Sequence, residues 1–229
     1  YGCFDGNGYA VRGIYINTQE SFQGLFGFGK CSVIANLGVA ESYIYGDTYV
    51  GGVVGYNGAG YNGVEYSGGT VTNCYNTGSV TGNYYIGGVV GCNGAEYYGV
   101  GYYSGTVTNC YNTGSVTGKK DVGGAVSFNR GTVTNCYNTG SVAGESWVGG
   151  VVGENRGTVT DCYNTGNVKG KDDVGGVVGR NGSSITDCYN TGNVTSNRYV
   201  GGVAGYSESD HHVTGCYNAG SITGEKWVG

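Results

Sequence analysis

The chain has no proline and no methionine among its 229 residues. Charged residues make up 12% of it, about half the usual proportion. Each scarcity excludes something. Glycine is abundant, at 51 residues, roughly three times its usual share. Yet without proline or a Gly-X-Y period the chain cannot be a collagen-like rod. The net charge is −5 and no Lys/Arg cluster occurs, so a surface for nucleic acid is not expected. No stretch approaches the roughly 18 apolar residues of a transmembrane helix, so direct membrane insertion is not expected, and no signal peptide is visible. No run combines a 3.6-residue apolar period with helix caps, so almost no helix is expected. Nine cysteines contain no C-x2-C pair, which argues against zinc. No G-G-x-G-x-D run suggests a calcium-wound roll. Only two histidines are present, adjacent at His211-His212, so no Ser/His/Asp set is suggested and a solvated loop explains them best. Neither a metal nor a cofactor is expected.

What is present is repetition. The phrase TVTNCYNTGSVTG, centred on Cys74, returns with small changes around Cys110, Cys136, Cys162, Cys188 and Cys216, at spacings of 36, 26, 26, 26 and 28 residues. A second phrase, VGGVVG, alternates with it, starting at Val50, Ile86, Val122, Val148, Val174 and Val200. A fixed period of this size marks a repeat architecture. Val, Ile, Tyr and Thr fill the phrases, and these residues favour pleated strands. A period of 26 is too long for one hairpin and too short for a βαβ unit. It fits one turn of a parallel β-solenoid, with about three short strands and three corners. The expected fold is therefore all-β, a parallel β-helix of about eight coils, right-handed by the prior for parallel crossovers. Residues 1–30 form a divergent first coil, and 31–229 continue the same domain, with Tyr/Gly-rich insertions at 56–68 and 92–104. The chain ends part-way into a repeat, at Trp227-Val228-Gly229, which suggests either a longer parent or a protomer that meets another copy end to end.

Strand alternation assigns the columns. In the coil from Gly131, Val133 and Cys136 face in, Thr132, Thr134 and Tyr137 face out, and Asn135 makes a corner. The cysteines at 74, 110, 136, 162, 188 and 216 form one column. Leu37 takes the equivalent place in the first full coil, which argues for a buried apolar site of reduced thiols. Asn76, Asn112, Asn138, Asn164, Asn190 and Asn218 form a second column, whose amides can bond from coil to coil. Cys3 and Cys31 lie outside the column and could pair with each other. Cys92 is expected to be a surface thiol. Val151 is left ambiguous by strict alternation.

Several segments resemble the GLUG-type repeat of bacterial surface proteins: Gly24-Leu25-Phe26-Gly27, Ile34-Ala35-Asn36-Leu37 and Val50-Gly51-Gly52-Val53-Val54-Gly55, after Asp5-Gly6-Asn7-Gly8-Tyr9 and Ile14-Tyr15-Ile16-Asn17. The resemblance implies a β-solenoid in an extracellular, cell-surface or adhesin-like protein. It brings no catalytic residue, and no enzyme is expected.

The expected function is thus structural and adhesive: a stalk or fibre segment that contacts a glycan or a surface protein. The two insertions sit at one corner of neighbouring coils, and they supply Tyr56, Tyr61, Tyr66, Tyr97, Tyr98, Tyr102 and Tyr103. Flat aromatic faces beside amides suit sugars or protein interfaces, although the loops could equally pack on each other. A further aromatic column precedes VGG: Tyr49, Tyr85, Trp147, Tyr199 and Trp227, interrupted by Asp121 and Asp173. It suggests lateral self-association. Two alternatives stand beside this reading. Thr70/Thr72, Thr106/Thr108, Thr132/Thr134 and Thr158/Thr160 would form ranks about 6.7 Å by 4.8 Å apart, as on ice-binding solenoids. Scattered acids (Glu154, Asp161, Asp172, Asp173, Asp187) leave open a polysaccharide-processing enzyme with a carboxylate pair, although nothing in the sequence singles one out.

Overall fold

The computed structural model describes residues 2–58, 60–61, 66–97, 101–209 and 211–229; for 60–61, 66–67, 95–97 and 101–103 only the backbone is described. Within them the chain is all-β, with no helix. Five parallel sheets of seven or eight strands wrap one core. A single coil contributes five short strands rather than the three expected: Thr132–Thr134, Tyr137–Asn138, Val142–Ala143, Ser146–Gly149 and Val152–Asn155. The reason is that a corner can be made without a loop. Asn135 (φ 52°), between Thr132–Thr134 and Tyr137–Asn138, turns the chain in the left-handed region, so pairing resumes within two residues.

Stacking is in register throughout. Thr132 pairs with Thr106 on one side and Thr158 on the other, and Val133 with Val107 and Val159. Eight rungs at the usual strand spacing make a rod about 40 Å long. Parallel strands closed into a coil have no lateral edge, so edges remain only at the two ends.

The core follows from the repeat. Val122, Val126, Val133, Cys136, Val142, Val148, Val151 and Val152 are all fully or almost fully buried. Val151 faces inward because the backbone kinks at Gly149-Gly150 and breaks the alternation. No side chain can replace Gly150, since a Cβ there would sit 2.0 Å from the carbonyl oxygen of Gly176. The cysteine column is present: the Cys136 N–H donates to Cys162 Sγ at 3.4 Å, and Cys162 N–H to Cys188 Sγ at 3.4 Å. All nine cysteines are thiols, with no disulfide among the described residues. Burial pushes the Cys136 thiol far above its ordinary value, as expected of a small core hydrophobe.

Polar groups inside the rod are paired along its axis. Asn76, Asn112, Asn138, Asn164 and Asn190 each donate from Nδ2 to the next amide oxygen, ending on Asn218, at 2.7–2.8 Å. Each also donates to a carbonyl two residues on, as Asn138 does to Gly140 at 2.8 Å. A second buried ladder runs along the opposite corner: Asn57, Asn93, Asn129, Asn155 and Asn181, linked at 2.8–2.9 Å and ending on Ser207 Oγ at 3.1 Å. Apart from the first oxygen of the second ladder, Asn57 Oδ1, which has no partner among the described residues, the two ladders pair the amides of a small polar interior.

Candidate functional site

The outside of the rod sorts into strips. The first sheet carries the threonines as expected, Thr70, Thr106, Thr132 and Thr158 in one row and Thr72, Thr108, Thr134 and Thr160 in the next. The adjacent sheet carries a feature that the sequence reading reduced to a single outward tyrosine. Tyr75, Tyr111, Tyr137, Tyr163, Tyr189 and Tyr217 form a continuous stack, with ring centroids 4.8–5.0 Å apart and planes within 3–5° of parallel. The signal was in the repeat itself, the invariant Cys-Tyr-Asn. Because neighbours cover both faces of the inner rings, those rings show solvent only edges and hydroxyls, while Tyr217 on the last rung leaves one face open.

A groove runs along the rod where the fourth sheet turns into the fifth. Two columns line it. One is the left-handed column: Phe22, Tyr49, Tyr85, Asp121, Trp147, Asp173, Tyr199 and Trp227, all at φ between 48° and 60°. Pairing skips these residues, as Lys120 aligns with Ser146 and Val122 with Val148, so every strand bulges at the same place and pushes this side chain outward. The other is the position before the second Asn ladder: Phe28, Tyr56, Cys92, Phe128, Glu154, Arg180 and Tyr206. Bulky residues in the left-handed region are strained, and such strain gathers at functional sites.

Toward the N-terminal end the groove is aromatic. Phe28 and Tyr56 stack at 5.0 Å, Tyr49 and Tyr85 at 4.9 Å, and Tyr49 meets Tyr56 edge-on at 5.3 Å. A cavity of about 250 Å³ opens there, lined by Tyr49, Tyr56, Tyr85, Cys92, Phe128 and Arg130. Cys92 is 3% exposed on the floor, not the surface thiol expected from sequence, because Tyr56 and Phe128 flank it on the rungs either side. Burial raises the Tyr85 hydroxyl to about 12. Farther along, the groove turns charged. Arg130, Arg156, Gly182 and Glu208 line a second cavity of about 270 Å³, which shares Arg130 with the first. Trp147 holds Lys120 Nζ 3.6 Å from its ring centre and the Arg180 guanidinium at 4.8 Å, two cation–π contacts from the rungs on either side.

Three acids sit beneath. Asp121 and Glu154 are 1% and 3% exposed. Glu154 accepts from Arg156 Nε at 2.7 Å. Burial, and then the charge of Glu154, raise the Asp121 carboxyl to about 8. Glu154 is already held by a guanidinium, so the proton of this pair belongs to Asp121. Burial and the neighbouring Asp172 raise Asp173 to about 6. The sequence reading missed the Asp121–Glu154 pair because the two lie in different coils and different columns; only knowing that both columns face one groove brings them together.

The sequence-predicted contact residues divide accordingly. Tyr56 lines the groove and Trp147 packs at its charged half. Trp227 lies on the last rung, 59% exposed and stacked on Tyr199 at 4.5 Å. The insertions form two antiparallel ribbons, Gly60–Tyr61 with Tyr66–Ser67 and Ala95–Tyr97 with Gly101–Tyr103. They leave from aligned Asn57 and Asn93 and return to aligned Thr70 and Thr106, which makes them neighbours at their bases. Tyr98 lies outside the described residues, and the side chains of Tyr61, Tyr66, Tyr97, Tyr102 and Tyr103 lie outside the described atoms. Among the described residues no group of His, Cys, Asp and Glu could hold a metal ion.

The rod has counterparts. A solved structure of a proposed immunoglobulin A1 protease from Bacteroides ovatus superposes with a TM-score of 0.57 at 19% identity, over 97% of this chain and 62% of that one. The likeness is one of fold, and this chain spans less than two thirds of that protein's length. No curated protein matches the sequence. The family model described as the GLUG motif matches at residues 46–81, 145–169 and 173–195. The chain is thus a β-solenoid that carries the GLUG motif at three regions.

Proposed function

We propose that this chain is a non-catalytic, load-carrying segment of a bacterial extracellular or cell-surface protein, which presents its long groove for adhesive contact. The observation that supports it best is the uninterrupted register of eight rungs, tied by two buried amide ladders and one tyrosine stack. Such a rod resists bending, and it repeats its outer surface at a fixed interval. The aromatic half of the groove suits the apolar faces of sugars or a protein side chain.

The paired acids do not favour an enzyme. Glycosidases keep their carboxyls about 5–9.5 Å apart to flank a sugar bond. Asp121 and Glu154 instead interact directly and are shut from solvent. Among the described residues no helix is long and apolar enough to cross a membrane.

The test is binding to a glycan and host-protein array, with two double variants: Tyr56→Ala with Tyr85→Ala in the groove, and Tyr61→Ala with Tyr98→Ala in the two sequence insertions. Loss of binding in either pair supports adhesion and locates it. Hydrolysis of any arrayed substrate by the wild type overturns the non-catalytic reading. One observation favours a second reading: the four complete Thr-x-Thr rows in strict register. If that face orders water as an ice plane does, the protein should show thermal hysteresis that Thr134→Tyr abolishes. Absence of hysteresis at high protein concentration ends this reading.

A further inference from the structure

Internal repetition separates what the fold needs from what it does not. Positions that build the rod keep one residue type in coil after coil: the inward valines, the cysteines, both Asn ladders, the tyrosine stack. Two outer strips vary. One is the corner at Lys119-Lys120, Glu145-Ser146, Lys171-Asp172 and Asn197-Arg198. Two of its four cations are neutralised within it, with Lys171 bonded to Glu145 at 3.1 Å and Arg198 bonded to Asp172, and a third, Lys120, lies over the Trp147 ring of the groove. The other is the groove, where three adjacent columns change from rung to rung while the backbone does not.

The pattern of change is directional. Following the second Asn ladder, the column that rims the groove reads Gly58, Gly94, Arg130, Arg156, Gly182 and Glu208. Three of the five arginines of this acidic chain (Arg130, Arg156 and Arg180) fall on successive rungs here. Arg156 uses Nε for Glu154. Its side chain is 47% exposed. The Arg130 guanidinium lies 5.3 Å from the Phe128 ring centre, at the join between the aromatic and charged cavities. At Gly182 the rim is notched. A Cβ there would meet Asn155 O at 3.4 Å and Glu208 Oε2 and Cδ at 3.5 and 3.7 Å, ordinary contact distances, so the backbone would allow a side chain beside the Glu208 carboxylate, whose charge Arg180 meets at 3.1 Å. Flat aromatic walls followed by paired guanidinium groups, along about five rungs or roughly 24 Å, match a chain of sugar rings bearing planar or tetrahedral anions.

We infer that the groove binds an acidic oligosaccharide, with its anionic group held by Arg130 and Arg156 at the Gly182 notch and a neighbouring ring seated against Tyr49, Tyr56 and Tyr85. This rests on the adhesive reading above and narrows it. The carboxylate of a uronic acid and a sulfate ester share the chemistry that the arginines recognise, since both accept paired N–H donors. The groove is closed to neither.

The experiment is calorimetric titration of the whole chain with three matched oligosaccharides: uronate-bearing, sulfated and neutral. Gly182→Trp fills the notch and leaves both ladders untouched, and Arg130→Gln removes one cation. The expected result is binding of one or both acidic ligands, weakened at least tenfold by either variant and by added salt, with melting curves like the wild type. The uronate and sulfate arms say which anion is preferred. Equal binding of the neutral oligosaccharide, with no effect of Gly182→Trp, overturns this inference and leaves the adhesive reading in place. Preference for an acidic peptide over all three sugars also overturns it. No binding of any ligand here, together with none on the array, removes both.

Discussion

Two columns rich in aromatic residues run along this rod, one over the last six rungs and one over all eight, and they behave in opposite ways. Tyr75 to Tyr217 are six identical residues on regular strand positions, stacked face to face within 5°. Phe22 to Trp227 occupy left-handed positions, mix Phe, Tyr, Trp and Asp, and stack only in places, as at Tyr49–Tyr85. Both columns obey the same translation. The first spends its ring faces on itself, so its chemistry is internal and its residue cannot change without a gap. The second stands where the backbone bulges outward, so each coil can carry a different side chain there without disturbing its neighbours. Uniformity marks a column that builds the fold, and variety on a constant backbone marks one free to bind.

The largest expected effect lies in the uniform set. Asn138→Ala strips partners from three groups at once: Asn112 Nδ2, Asn164 Oδ1 and the Gly140 carbonyl. Asn112 Nδ2 keeps the Gly114 carbonyl and Asn164 Oδ1 keeps the Gly166 N–H, so each group loses one bond at about 0.5–1.5 kcal/mol, and a loss of about 2–4 kcal/mol in urea unfolding is expected. A loss under about 1 kcal/mol would mean that water replaces the ladder and that the columns are less tightly coupled than their distances imply.

Next comes Asp121, an acid in the variable column. Its carboxyl is raised to about 8 by burial and by Glu154. The sign follows from proton binding. Below about pH 4 the folded and unfolded chains both hold the proton, and this site contributes nothing. Between about 4 and 8 the unfolded chain has released the proton and the folded one has not, so stability falls as pH rises, and the full cost applies above 8. The wild type should lose about 2–4 kcal/mol from this site between pH 4 and 9, allowing for water entry. Asp121→Asn should flatten that slope and melt higher at pH 9. Parallel slopes for the two proteins would remove the proton from Asp121.

How much of this was legible beforehand follows the same division. Period, parallel stacking, the Cys column with Leu37 in register and the first Asn ladder could be read from the sequence, because each is one residue type repeated at one interval and repetition survives any uncertainty about corners. The second ladder was equally periodic at Asn57, Asn93, Asn129, Asn155 and Asn181, but varied neighbours such as Tyr56, Phe128 and Arg180 hid it. The groove was not legible. Its walls come from two columns that the bulges at Tyr85, Asp121 and Trp147 bring to one side, and strict two-residue alternation gives no sign of a bulge. The same error placed Cys92 outside and left Val151 undecided.

The smallest effects sharpen the comparison most directly, because they use matched changes. Tyr137→Ala opens the uniform stack between Tyr111 and Tyr163 and removes two ring contacts. A cost of about 1–2 kcal/mol in thermal or urea unfolding is expected. Tyr85→Gly removes the stack on Tyr49 and the edge contact with Phe128. However, it also releases a residue held at φ 57°, a conformation that costs a non-glycine side chain about 1–2 kcal/mol and glycine almost nothing. The two terms nearly cancel, so stability should change by less than about 1 kcal/mol while affinity for a ligand seated in the groove falls. If Tyr85→Gly destabilises as much as Tyr137→Ala, the left-handed column is structural after all, and its variety reflects only tolerance at a bulge.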